Sequence, residues 1–101
     1  MRAARIDANQ TEIVAALRDI PRVTVFPTSA IGNGFPDIVV GYLGRNFLFE
    51  IKDGSKPPSA QKLTEKEQRF HDTWAGDVRV ITCIDDALDA MRVRQEMRSD
   101  R

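Results

Sequence analysis

Hydrophobic and polar positions alternate along this chain in two rhythms, and each rhythm predicts an element. In DANQTEIVAALRDI, residues 7–20, apolar side chains fall at Ile13, Val14, Leu17 and Ile20. That is the spacing of one helical face, with Asp7 as candidate N-cap and Pro21 as the stop. VTVF, residues 23–26, is β-branched and aromatic and predicts a strand. Residues 27–36 hold two Pro and two Gly and predict a loop. Ile38 to Tyr42 and Phe47 to Lys52 predict two strands joined by a tight turn around Gly44. DGSKPPSAQK, residues 53–62, predicts an exposed loop. Thr64 followed by Glu67 is a capping-box spacing and predicts a helix through Trp74, stopped by Gly76. VRVITC, residues 78–83, predicts a strand. A last helix, capped by Asp85 or Asp86, is expected to run to about Met97, with MRSDR as a frayed tail. The predicted order is α-β-β-β-α-β-α.

The predicted hairpin carries charges among core-type residues, and strand parity sorts them. Successive strand side chains point to opposite faces. With Leu43 to Asn46 left in the turn, Tyr42 sits opposite Phe47, Asp37 opposite Lys52 and Val39 opposite Glu50. Asp37, Glu50 and Lys52 then share one face, and Ile38, Val40, Tyr42, Phe47, Phe49 and Ile51 share the other. A slip of one residue would put Asp37 among the aromatics. Three ionisable groups on a half-buried sheet are costly without compensation. Two readings account for them. One is a structural salt bridge of Lys52 with an acid. The other is a divalent cation held by two carboxylates, with the lysine beside a phosphate or an attacking water.

Composition narrows the choice. The 101 residues suit one domain, residues 1–101. Lys plus Arg and Asp plus Glu both number 15, so any nucleic-acid surface must be local. A single Cys, Cys83, leaves no internal disulfide, and with a single His it cannot form a zinc site of the usual nitrogen and sulfur type. Any metal would be a hard cation on oxygen ligands. No apolar run has the length of a membrane span and no secretory h-region is visible, so a soluble, cytoplasmic protein without membrane contact is expected.

GFPD, residues 34–37, followed thirteen positions after Asp37 by Glu50 and then E-I-K, resembles the PD-(D/E)XK nuclease signature. In closer detail the chain is similar to small phage-type VRR-NUC domains, which show G-x-P-D, E-V-K-D-G and a helix opening L-[ST]-x-x-Q. The resemblance runs from Asp7 to about Met91. It implies an α/β fold with a restriction-endonuclease-like αβββαβ core, a C-terminal helix and a mixed central sheet. It implies Asp37, Glu50 and the Ile51 carbonyl as ligands of Mg²⁺ or Mn²⁺, and Lys52 as the group that orients the water or stabilises developing charge. Asp37, Glu50 and Lys52 are therefore the candidate catalytic residues. Many relatives carry a glutamate on the first helix where this chain has Gln10, which would act through a metal-bound water. The helix-opening Gln falls on Glu67, with Gln68 one step late, and both are assigned around the metal ligands. The implied activity is a Mg²⁺-dependent endonuclease acting on DNA, structure-selective for branched or junction DNA, working as a homodimer in a bacterial cell and encoded by a phage or prophage.

Several residues keep two readings. Gly32, Gly34 and Pro36 are turn residues or a loop open to a DNA backbone. Lys56 and Lys62 are phosphate contacts or a solvated loop. Glu67 is a cap or a site residue. His71 reads as an ordinary helix residue, Phe70 and Trp74 as core or interface, and Cys83 as a small buried hydrophobe. Trp74, Met91, Val93 and Met97 are the candidate dimer contacts. Two rival functions are an idle DNA-binding module of the same fold and a small phage structural or interaction protein in which Asp37 and Lys52 form a plain salt bridge.

Overall fold

The computed structural model describes residues 8–94. Three helices and four strands follow in the expected order: α1 (Ala8–Arg18), β1 (Val23–Pro27), β2 (Ile38–Tyr42), β3 (Arg45–Ile51), α2 (Glu65–Thr73), β4 (Val78–Ile81) and α3 (Ile84–Met91). Short 3₁₀ turns, Ser29–Ile31 and Pro58–Gln61, lie in the two long loops. The strands form one mixed sheet in the order β1-β2-β3-β4. The first three are antiparallel and β3 pairs with β4 in parallel, which requires a crossover, here supplied by the loop and α2. The protein is thus an α/β domain with a four-stranded mixed sheet.

The hairpin register differs from the expected one. Tyr42 pairs with Arg45, Val40 with Phe47 and Ile38 with Phe49. The turn is only Leu43-Gly44, and both residues have positive φ, 52° and 77°. That is the two-residue geometry whose twist matches the flanking strands. The pairing is shifted by two residues, so Asp37 lies beside the Phe49–Glu50 step and not opposite Lys52. A shift of two preserves every face assignment, because the strand period is two.

The apolar face is the core. Ile38, Val40, Tyr42, Phe47, Phe49 and Ile51 pack with Ile13, Val14 and Leu17 of α1, with Ile20 just after it and with Ala87, Leu88 and Met91 of α3. Leu17, Ile38, Val40, Phe49 and Met91 are fully buried. No α2 residue belongs to this cluster. The second helix therefore lies on the other face, where Lys52 meets its Glu67. Its anchor is small: Phe35 packs edge-on to Phe70, and Phe70 stacks on Trp74 at 4.9 Å. Gly34, φ 85°, comes so close to α2 that a Cβ would fall onto the Lys66 carbonyl.

Some boundaries differ. The first helix stops at Arg18, and the chain reaches Val23 through a turn in which Arg22 takes positive φ. Asp7 lies outside the described residues. The last helix is capped by Cys83 and not by Asp85 or Asp86; Asp86 instead accepts from the Thr82 N–H and hydroxyl. It ends at Met91, where Arg92 adopts φ 60°, and Met97 with the MRSDR tail lies outside the described residues. Because β4 ends at Ile81, Cys83 has left the sheet and is exposed, not buried. Met91 and Val93 are core residues, so they are not dimer contacts. Among the described residues no helix is long and apolar enough to cross a membrane.

Candidate functional site

Asp37 sits where β2 begins, and hydrogen bonds of its backbone and side chain fix it. Its N–H donates to the Phe49 carbonyl at 3.0 Å and its carbonyl accepts from the Thr28 N–H at 2.8 Å. Its carboxylate Oδ2 accepts from the Ile51 N–H at 2.7 Å. The side chain thus takes the place of a backbone partner at the end of the ladder, which satisfies a donor that would otherwise be orphaned. Buried Thr28 tightens the same corner by donating its hydroxyl to the Pro36 carbonyl at 2.7 Å.

Glu50 is the unusual residue. It is only 3% exposed, and its Oε1 is buried with no hydrogen-bond partner. Lys52 Nζ stands 3.7 Å from its other oxygen, Oε2. Burial, then the nearby Asp37 and Glu67 charges, push the Glu50 carboxyl up to about 9 against the smaller opposing pull of Lys52. Lys52 is held more tightly by Glu67, at 3.0 Å. Burial alone would lower the ammonium, but the Glu67 hydrogen bond and charge outweigh it and the net shift is upward.

Glu67 resolves its two readings by serving both. Its Oε1 accepts from the Thr64 N–H at 2.9 Å and from Lys52 Nζ at 3.0 Å, while its own N–H donates to Thr64 Oγ1 at 3.2 Å. The capping box is complete and also orients the lysine. Burial opposes ionisation of Glu67, but the Thr64 and Lys52 bonds prevail and hold its carboxyl below the ordinary value.

These groups line one polar cleft of about 180 Å³, walled by Gln10, Asp37, Glu50, Ile51, Lys52, Asp53, Lys56 and Ala60. The Ile51 side chain belongs to the core face, so Ile51 reaches the cleft through its backbone. Gln10 is 5% exposed, and Ser29 links it to Asp37: the hydroxyl lies 3.3–3.4 Å from both Gln10 amide atoms and 3.4 Å from Asp37 Oδ1. Asn9 Nδ2 donates to the Lys52 carbonyl at 2.8 Å and ties α1 to the end of β3. Neither Ser29 nor Asn9 was a sequence candidate. Nothing in the pattern marks a serine within a loop region; Asn9 offers only its place beside Gln10.

Other candidates lie elsewhere. Gln68 is exposed and donates to Asp72 at 2.9 Å, turned away from the cleft. Lys62 is exposed and is not a wall of it. Gly34 is filled by its approach to α2, not open to a DNA backbone. His71 Nδ1 lies 2.9 Å from the Glu67 carbonyl, and its Nε2 is buried without a partner.

The donor set suits a hard divalent cation in kind. Two carboxylates, a backbone carbonyl and an amide are oxygen donors, and the Glu50 Oε1 is buried without a hydrogen-bond partner. Among the described residues no group of three or more His, Cys, Asp and Glu side chains is placed to hold a metal. Of the other acids at the cleft, Glu67 is engaged by Lys52 and Thr64 and Asp53 by Ser55. Searches of protein-family models, of curated proteins and of solved structures return no match to the chain.

Proposed function

We propose that this protein is a metal-dependent endonuclease of the PD-(D/E)XK type that hydrolyses DNA phosphodiesters at the acidic cleft. One observation carries the reading: Asp37, Glu50 and Lys52 share a polar cleft in which a buried carboxylate oxygen has no partner. A salt bridge alone would leave that oxygen unexplained, and Lys52 already has a better partner in Glu67.

Asp37, Glu50, the Ile51 carbonyl and, through water, Gln10 would hold Mg²⁺ or Mn²⁺. The bound cation supplies charge neutralisation at the phosphate and a more acidic water. The chain's own groups do the rest. The Ile51 N–H fixes the Asp37 carboxylate, which leaves its second oxygen toward Ser29 and the cleft. Lys52, steered by Glu67, keeps its charge in the cleft wall, where negative charge grows on the non-bridging oxygens during attack. Lys56 extends the positive wall toward the entering backbone. We extend the proposal to branched DNA and a homodimer, on the ground that a small neutral domain offers little surface for gripping a junction alone.

The test is cleavage of branched, flapped, nicked and linear DNA with Mg²⁺ or Mn²⁺, beside Asp37→Ala. Metal-dependent cutting by the wild type and none by the variant is expected. Equal cutting by both would reject the assignment. Lys52→Ala should lower the single-turnover rate more than the affinity. Weaker affinity with an unchanged chemical step would make Lys52 a phosphate clamp instead. Sedimentation with and without a junction tests the dimer; a monomer that still makes paired cuts would end it.

A further inference from the structure

We propose that a second groove, on the far side of α2 from the cleft, binds an unpaired DNA strand that flanks the bond to be cut. The inference rests on the nuclease reading and names its substrate: DNA with a single-stranded arm. The groove measures about 220 Å³ and is lined by Asn33, Lys66, Arg69, Phe70 and Thr73. Four of these come from α2, at spacings of three and four, so they form one stripe of the helix. The acids and the acid-bonded glutamine of its outer turns, Glu65, Gln68 and Asp72, fall on another stripe. Glu67 and His71 fall on a third, toward Lys52. The groove stripe is thus positive and free of carboxylates.

Its two cations are uncommitted. Among the described residues Lys66 and Arg69 form no ion pair, whereas Lys52 is bound by Glu67 and Arg79 by Asp77. Lys56, at the cleft, also forms none. In a chain of zero formal charge Lys66 and Arg69 make the groove locally basic. The aromatic part is equally specific. Phe70 forms the groove wall and stacks on Trp74 with an interplanar angle of 18°, braced edge-on by Phe35. Trp74, the next ring of the stack, remains 45% exposed.

Cations flanking an exposed aromatic platform suit a single strand. The cations take phosphates, and any base can stack on the ring. An intact duplex keeps its bases inside and leaves the platform unused. The groove and the cleft are linked through α2. Lys66 is the chain neighbour of Glu67, which holds Lys52, and its backbone is the surface on which Gly34 rests. A strand that leaves the cleft past Lys52 would meet the groove on the same helix.

The sole tryptophan makes this measurable. A short oligothymidine is titrated into the full chain in chelator, so that no cleavage occurs, and Trp74 fluorescence is read. Quenching is expected, with an affinity that falls with salt. Lys66→Ala with Arg69→Ala should weaken binding roughly ten-fold and lower the logarithmic salt slope by about 0.7 for each phosphate that is no longer neutralised. Lys66→Arg with Arg69→Lys should restore most of it. Both side chains are exposed, so these variants should fold. In Mg²⁺ the double alanine variant should lose more cleavage on flapped DNA than on nicked duplex. An unchanged fluorescence signal, equal affinity of wild type and double variant, or equal quenching by a duplex of the same length would overturn the proposal. Tighter binding of an oligouridine would overturn the assignment to DNA. The titration needs no metal, so absence of cleavage by the wild type would reject the nuclease reading without affecting this result.

Discussion

The two faces of the central sheet are built to different standards. The face under α1 and α3 is a closed apolar core in which Leu17, Ile38, Val40, Phe49 and Met91 are sealed from solvent. The face under α2 holds Glu50 and Lys52, and around them Phe26 is 70% exposed and Val80 42%. α2 buries none of its own residues fully and is held by three rings, a glycine contact and one lysine. The first face carries the stability of the domain. The second tolerates an orphaned carboxylate oxygen and two further acids around one ammonium. A buried ionisable cluster of this kind is costly, so it points to chemistry when stability is already secured elsewhere.

Neighbouring residues of β3 sharpen that comparison most strongly. Phe49 faces the core and Glu50 the cleft. Phe49→Ala should cost about 3–5 kcal/mol, read by chemical denaturation. Glu50→Gln should change stability by no more than about 1–2 kcal/mol and abolish metal-dependent cleavage. A large stability loss in Glu50→Gln would show that the second face is structural after all.

Next in size is Gly34→Ala. The substitution meets the Lys66 carbonyl at a backbone φ of 85°. A loss of about 1–3 kcal/mol is expected, together with weaker cleavage, because displacing α2 moves Glu67 away from Lys52. A variant as stable and active as wild type would mean that α2 docks without this contact.

Hairpin parity made the faces legible in the sequence, and the site along with them. Alternation of Ile38, Val40, Phe47 and Phe49 against Asp37 and Glu50 survives a register error of two residues though not of one, which is why a turn two residues shorter than expected changed the partner of Asp37 but not its face. The capping spacing of Thr64 and Glu67 was legible too, although not that one oxygen would serve both the cap and Lys52. What lies beyond reach depends on long-range contact. Ser29 and Asn9 act at the cleft only because loop and helix are brought there by the fold. Gly34 looks like any turn glycine until α2 is placed against it. The exposed Cys83 and the short α3 follow from a strand ending at Ile81 and a left-handed Arg92, and no local pattern announces either.

The two faces should differ in pH dependence as well. Glu50 keeps its proton in the folded chain to about 9, whereas the unfolded chain releases it near 4.5. Its contribution to stability is therefore complete below the lower value and is lost as pH rises toward the upper one. Without divalent cation the melting temperature should fall across that window, and Glu50→Gln should flatten the slope. Glu67 and Asp86 act with the opposite sign. Their carboxyls are lowered in the fold, so their contributions are present above the ordinary values and lost in acid. A wild-type slope unchanged by Glu50→Gln would place the proton elsewhere.

Calorimetric titration of Mn²⁺ into the protein at neutral pH, in two buffers of different ionisation enthalpy, bears most directly on the cleft. A cation site built on Asp37 and a protonated Glu50 requires binding accompanied by release of a proton, so the apparent enthalpy should differ between the buffers, and both binding and release should vanish in Asp37→Ala. Absence of Mn²⁺ binding by the folded wild type, or the same binding heat in Asp37→Ala, would contradict a metal site at the second face of the sheet.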